Sequence, residues 1–105
     1  MITKTPEPPY YTVIFTSIRT EVEEGYTELN DSLWEDVQKL DGFIGAESLR
    51  NEAGFGVTVL YFKDMETIRE WSKYQKHIRA KELGKEKWYS DHRVRIGKVE
   101  REYGS

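Results

Sequence analysis

The chain has 105 residues, which suits one domain with one modest core. Apolar residues make up 37%, charged residues 33%, and the net charge is −3, so a well-solvated protein is expected, with neither nucleic acid nor an anionic membrane as partner. There is no Cys, which excludes disulfides, thiolate nucleophiles and thiolate metal sites; the opening residues hold no signal-like apolar region and no apolar run approaches membrane-spanning length, so a cytoplasmic protein is the expectation.

Residues 1–9 are predicted to be a flexible N-terminal arm, because Pro6, Pro8 and Pro9 lack backbone donors and block helix. Residues 10–105 then form a single domain. Tyr10 to Arg19 is a strand rich in β-branched and aromatic residues, apolar on both faces. Thr20 to Glu23 has capping-box form, and a helix is expected from there to about Leu40. Its inward stripe is Tyr26, Leu29, Leu33, Val37 and Leu40, with Trp34 at the edge, and Gly42 is expected to stop it in the left-handed conformation.

Phe43 to Arg50 and Phe55 to Lys63 read as strands, and the short turn between them implies an antiparallel hairpin. Asp64 can cap a second helix with Ile68, Trp71, Gln75 and Ile78 facing inward, extending through Leu83 until Gly84 ends it. Lys85 to Asp91 is predicted to be a one-turn segment carrying Trp88 and Tyr89. Arg93 to Tyr103 is the last strand, with a bulge near Gly97 where the apolar period shifts.

The order β-α-β-β-α-β is that of an α+β, ferredoxin-like antiparallel sheet. Two helices cover only one face of a four-stranded sheet. The other face is also apolar, so a second copy stacked on it predicts a homodimer. The aromatic load of 13% favours a pocket as well as a core.

Among candidate residues His77 stands out: a neutral imidazole in an apolar pocket works as a base or a ligand near neutral pH. It is weighed against a histidine that only bonds backbone where a helix breaks. Trp71 lies on the inward stripe and reads first as core, then as a pocket wall. Tyr61 sits at a strand end, where its hydroxyl can enter a pocket. His92 is expected to be exposed, and two His residues without Cys make no metal site.

The run Tyr61-Phe-Lys-Asp-Met-Glu-Thr-Ile-Arg-Glu-Trp71, followed by His77-x-x-Ala80-x-x-x-Gly84, Trp88-Tyr89, Val94-Arg95-Ile96 and Val99-Glu100-Arg101-x-Tyr103, resembles the antibiotic biosynthesis monooxygenase family, in its small branch related to haem-degrading monooxygenases. Gly42-Phe-Ile-Gly45-x-Glu47-Ser48 fits the same pattern. The resemblance implies a dimeric α+β barrel with a pocket between sheet and helices in each subunit. It implies a monooxygenase acting on an aromatic or electron-rich small molecule without metal or flavin. His77, Trp71 and Tyr61 would then be catalytic, and Phe15, Ser17, Trp34 and Tyr74 would line the substrate. The alternatives are a haem-binding or haem-degrading protein with His77 as ligand, and a non-enzymatic dimeric binding domain. Haem-degrading relatives place an Asn on strand one and a Trp near the end of strand three, where this chain has Ser17 and Tyr61 or Phe62.

Overall fold

Four strands form one antiparallel sheet in the computed structural model, which describes residues 2–104, with the backbone alone at Gln75. The elements are β1 (Tyr10–Arg19), α1 (Tyr26–Val37), β2 (Phe43–Arg50), β3 (Phe55–Phe62), α2 (Met65–Lys73), α3 (Gln75–Leu83), a π-helical turn (Gly84–Trp88) and β4 (Tyr89–Val99). The sheet order β2-β3-β1-β4 and the βαββαβ chain order make a ferredoxin-like fold. Among the described residues no helix is long and apolar enough to cross a membrane.

Strand register sorts the side chains onto two faces, because directly paired residues point the same way. Tyr11 pairs with Phe62 and Val13 with Leu60, and these face the helices. They pack on a core of Val37, Phe62, Ile68 and Trp71, joined by Leu33, Leu40, Phe43 and Met65. Ile14 pairs with Val59, Thr16 with Val57, Ile18 with Phe55, and Leu49 with Val57, on the opposite face. No helix covers that face. Leu49 is 82% exposed and Phe55 48% exposed there.

One end of this open face carries the N-terminal arm, whose described residues form neither helix nor strand. The Thr3 amide donates to Glu47 Oε2 at 2.8 Å, while the hydroxyls of Thr5 and Tyr10 both donate to Glu102.

The second helix starts as expected: Asp64 Oδ1 accepts from the Thr67 amide at 2.8 Å. Other boundaries differ. Thr20 makes no capping box. Its hydroxyl donates to the Lys87 carbonyl and accepts from Val22, while its amide bonds the Trp88 carbonyl at 2.8 Å. Residues 20–25 are thus held by the π-helical turn, and α1 begins only after Gly25, which has φ 75° and no side-chain cap. Gly42 is not left-handed. It allows α2 to approach, because a Cβ there would lie 1.9 Å from Thr67 Oγ1. Gly42→Ala is therefore expected to cost about 1–3 kcal/mol through overpacking, read as a lowered midpoint in thermal denaturation.

The α-helix does end at Leu83 with Gly84 as its C-cap, but Gly84 is right-handed and leads the chain into the π-helical turn, and the helix is not continuous up to that point. The break comes earlier, at Tyr74, whose ψ of 130° separates α2 from α3. That break ends the inward stripe, leaving Trp71 buried and Ile78 41% exposed. β4 starts at Tyr89 rather than Arg93 and ends at Val99. Its register is unbroken through Gly97, and the irregularity lies instead between Ile18 and Arg19, where Ile18 pairs with Asp91 but Arg19 with Tyr89.

Candidate functional site

The α2–α3 break assembles three of the sequence-predicted residues. In an unbroken helix the Trp71 carbonyl would serve the amide four residues on. With Tyr74 extended, that carbonyl instead accepts from the Tyr74 amide at 3.2 Å and meets His77 Nδ1 at 3.1 Å. The His77 ring stacks on the Trp71 indole, with centroids 5.0 Å apart and planes 20° apart, and the Tyr74 ring stacks on the same indole at 5.6 Å and 16°.

A carbonyl oxygen only accepts, so His77 Nδ1 carries the hydrogen and Nε2 holds the lone pair when the ring is neutral. Burial, and secondarily the charge of Lys81, holds the His77 pKa below its ordinary 6.5. The ring is neutral at pH 7. Among the described residues Nε2 has no hydrogen-bond partner, and no buried side-chain nitrogen or oxygen is left without one. Nε2 therefore reaches accessible space.

The unfolded chain binds a proton at His77 before the folded chain does, so folding stability must fall as pH drops from about 6.5 through the lowered folded value. His77→Gln, whose amide can still donate to the Trp71 carbonyl, is expected to flatten that part of a stability–pH curve. An unchanged slope would contradict the buried neutral ring.

The break is also tied to α1. Tyr74 donates to Asp36 Oδ2 at 2.9 Å, and Lys76 Nζ donates to the same oxygen at 3.0 Å and to Ser32 Oγ at 2.8 Å. Lys76, then Tyr74, holds the Asp36 carboxyl below its usual range, while Asp36 raises the Tyr74 phenol. An open depression of about 260 Å³ lies here, lined by Asp36, Lys39, Leu40, Glu70, Trp71 and Tyr74. His77 is outside its lining. Trp34 is too: it is 44% exposed and meets Phe43 edge-on at 5.9 Å.

Tyr61 is not with Trp71 and His77. It points to the open face, donates to Glu47 Oε1 at 2.7 Å and lies 6.1 Å from the Tyr10 ring. Desolvation, and then Glu47, pushes its phenol up to about 12. The expected wall of Trp71, Tyr61 and Phe15 is thus divided by the sheet: period-two alternation sends Tyr61 away from its neighbour Phe62.

Phe15 and Ser17 lie on the helix side at the far end of β1. Phe15 meets the Tyr89 ring at 5.2 Å and the His92 ring at 6.0 Å. Ser17 is 1% exposed, and its Oγ accepts from Arg50 Nη2 at 2.8 Å. Arg50 Nη1 donates to the carbonyls of Ser17 and Gly54. Sequence reasoning passed over Arg50. No sequence pattern links it to Gly56 on the next strand, where a Cβ would lie 2.6 Å from the Arg50 Cζ. Nearby, the Arg19 guanidinium lies 3.4 Å over the Tyr26 ring, and burial, then a hydrogen bond with Tyr26, raises the Tyr89 phenol. Among the described residues no three His, Cys, Asp or Glu lie together as a metal site.

The Bacillus subtilis protein YqjZ is 42% identical over 101 residues, spanning 96% of this chain and 89% of YqjZ. No protein-family profile matches. SnoaB from Streptomyces nogalater, a cofactor-independent oxygenase, superposes with a TM-score of 0.74 at 8% identity, over 91% of this chain and 98% of SnoaB. An antibiotic biosynthesis monooxygenase superposes with a TM-score of 0.66 at 14% identity, over 83% of this chain and 95% of its own.

Proposed function

Since the chain belongs to the family of Bacillus subtilis YqjZ and has the fold of the antibiotic biosynthesis monooxygenases, we propose that it is a homodimeric oxygenase of aromatic or electron-rich small molecules, working without metal or flavin, with His77 as its base. The observation that carries this is the imidazole itself: stacked on Trp71, its Nδ1–H held by a backbone carbonyl, its Nε2 without a partner among the described residues, and its pKa held below the ordinary value by burial. A base of this form removes a proton from a phenolic substrate. The phenolate then gives an electron to O₂, the phenoxyl radical and superoxide combine to a ring-bound peroxide, and loss of water leaves the quinone, so the protein's part is to bind and deprotonate. The open apolar sheet face supports the dimer.

Oxygen uptake with a panel of one- and two-ring phenols tests this. Wild-type protein should turn over at least one of them, and His77→Gln should lower kcat by about 10²–10⁴, as for loss of a general base. Equal rates in the two proteins would overturn the role of His77. Saturable binding with no turnover of any phenol would make the protein a binding domain.

Haem does not fit the helix side as it stands. His77 has the right form for a ligand, with Nδ1–H held by a carbonyl. However, the open depression beside Trp71 is about 260 Å³, on the scale of one or two aromatic rings rather than of a haem macrocycle. A hemin titration should show no saturable Soret shift. A shift saturating near one haem per subunit, and lost in His77→Ala, would contradict this.

A further inference from the structure

The far end of the helix side holds a charge that the chain itself does not neutralise. Arg50 is half-buried, and among the described residues no carboxylate pairs with it. A guanidinium taken partly out of water without a counter-charge is costly unless something supplies one. Its neighbour Arg19 adds a second positive charge, whose one ion pair among the described residues is with Glu23 at 3.4 Å, a carboxylate 74% exposed.

Arg50 is nevertheless held in place. It lies across Gly56, in space that any side chain there would fill. Three of its five N–H groups are committed: Nη2 to Ser17 Oγ, and Nη1 to the carbonyls of Ser17 and Gly54. One N–H on Nε and one on Nη2 remain. These belong to neighbouring nitrogens of the planar fork, the pair a carboxylate bridges.

Aromatic surface lies to one side of the guanidinium. The Tyr89 ring centre is 6.0 Å from the Arg50 Cζ, and Phe15, Tyr89 and His92 have mutual ring separations of 5.2, 6.0 and 6.2 Å. His92 shares the helix-side face because it pairs with Ser17. It is exposed, while Phe15 and Tyr89 are half-buried, so the cluster opens to solvent.

We propose that Arg50, seated on Ser17 and Gly56 and flanked by Phe15, Tyr89 and His92, forms a binding site for the anionic group of a small aromatic carboxylate. The carboxylate takes the two uncommitted N–H groups, and the ring lies against the aromatic side chains. The site does not depend on His77 acting as a base, and it holds whether or not the protein turns its ligand over.

The probes are naphthoate and its neutral isostere naphthamide, titrated into wild-type protein by calorimetry, with the Arg50 Nε–H resonance followed by NMR. Naphthoate should bind saturably, shift that resonance and bind at least about tenfold tighter than naphthamide, the scale of one lost charge-assisted hydrogen bond. Arg50→Gln should remove the preference for the acid while leaving the weak naphthamide binding alone. Gly56→Ala keeps the charge but unseats the guanidinium, and should weaken naphthoate likewise. The proposal is overturned if naphthoate does not bind wild-type protein, if acid and amide bind equally, if the Arg50 resonance does not move, or if Arg50→Gln binds naphthoate as well as wild type does. The first three outcomes are read on wild-type protein, so a variant that fails to fold leaves the test intact.

Discussion

Val59→Asp is expected to leave a folded monomer, whereas Leu60→Asp is expected to leave no folded chain. The two residues are adjacent on β3, and period-two alternation sends them to opposite faces. Leu60 packs against the core of Val37, Phe62, Ile68 and Trp71. An aspartate there loses about 1.5–3 kcal/mol of apolar burial and adds several more for an unpaired buried charge. A domain of this size has roughly 5–15 kcal/mol in all. Val59 pairs with Ile14 on the face that no helix covers. A charge there costs the monomer little, but in the proposed dimer a two-fold interface would repeat it on both subunits and place like charges in one apolar layer. Circular dichroism should therefore show a native Val59→Asp, and sedimentation should show half the wild-type mass. A dimeric Val59→Asp, or a folded Leu60→Asp, would show that the faces play other roles.

Trp71→Ala carries the second large effect. The indole is 7% exposed and sits in the core cluster, so its removal should cost about 3–5 kcal/mol in chemical denaturation. Trp71 also stacks with both Tyr74 and His77. Where the variant still folds, losing the indole hydrates the imidazole and the His77 pKa should return towards 6.5. Trp71→Phe keeps a ring at the site and should lose less on both measures. A stability change under about 1 kcal/mol would place Trp71 outside the core.

The fold was legible because its signals are periodic. The alternation in β1 and β3, the short Asn51–Gly54 connection and the Asp64 cap each point to one local structure, and together to one topology. The misjudged boundaries all turn on tertiary contacts. Thr20 has the residues of a capping box but bonds the π-helical turn, 67 residues away in sequence. Gly42 looks like a left-handed helix stop, and only its packing against Thr67 and its backbone angles say otherwise.

The candidate site was legible in part for the same reason. Trp71, Tyr74 and His77 are close in sequence and are brought together by a local break. Tyr61 was grouped with them because a strand end can place its hydroxyl in a pocket, but strand alternation puts its side chain across the sheet. Arg50 went unnoticed because its partners Ser17 and Gly56 lie on two other strands.

The most direct measurement of the central claim is the protonation state of His77 at pH 7, from the ring-nitrogen chemical shifts of labelled protein. A neutral ring is expected, with the hydrogen on Nδ1, bonded to the Trp71 carbonyl, and a bare Nε2 ready to take a substrate proton. A ring protonated on both nitrogens, or one carrying its hydrogen on Nε2, would contradict it and leave His77 without a base's lone pair at the accessible position.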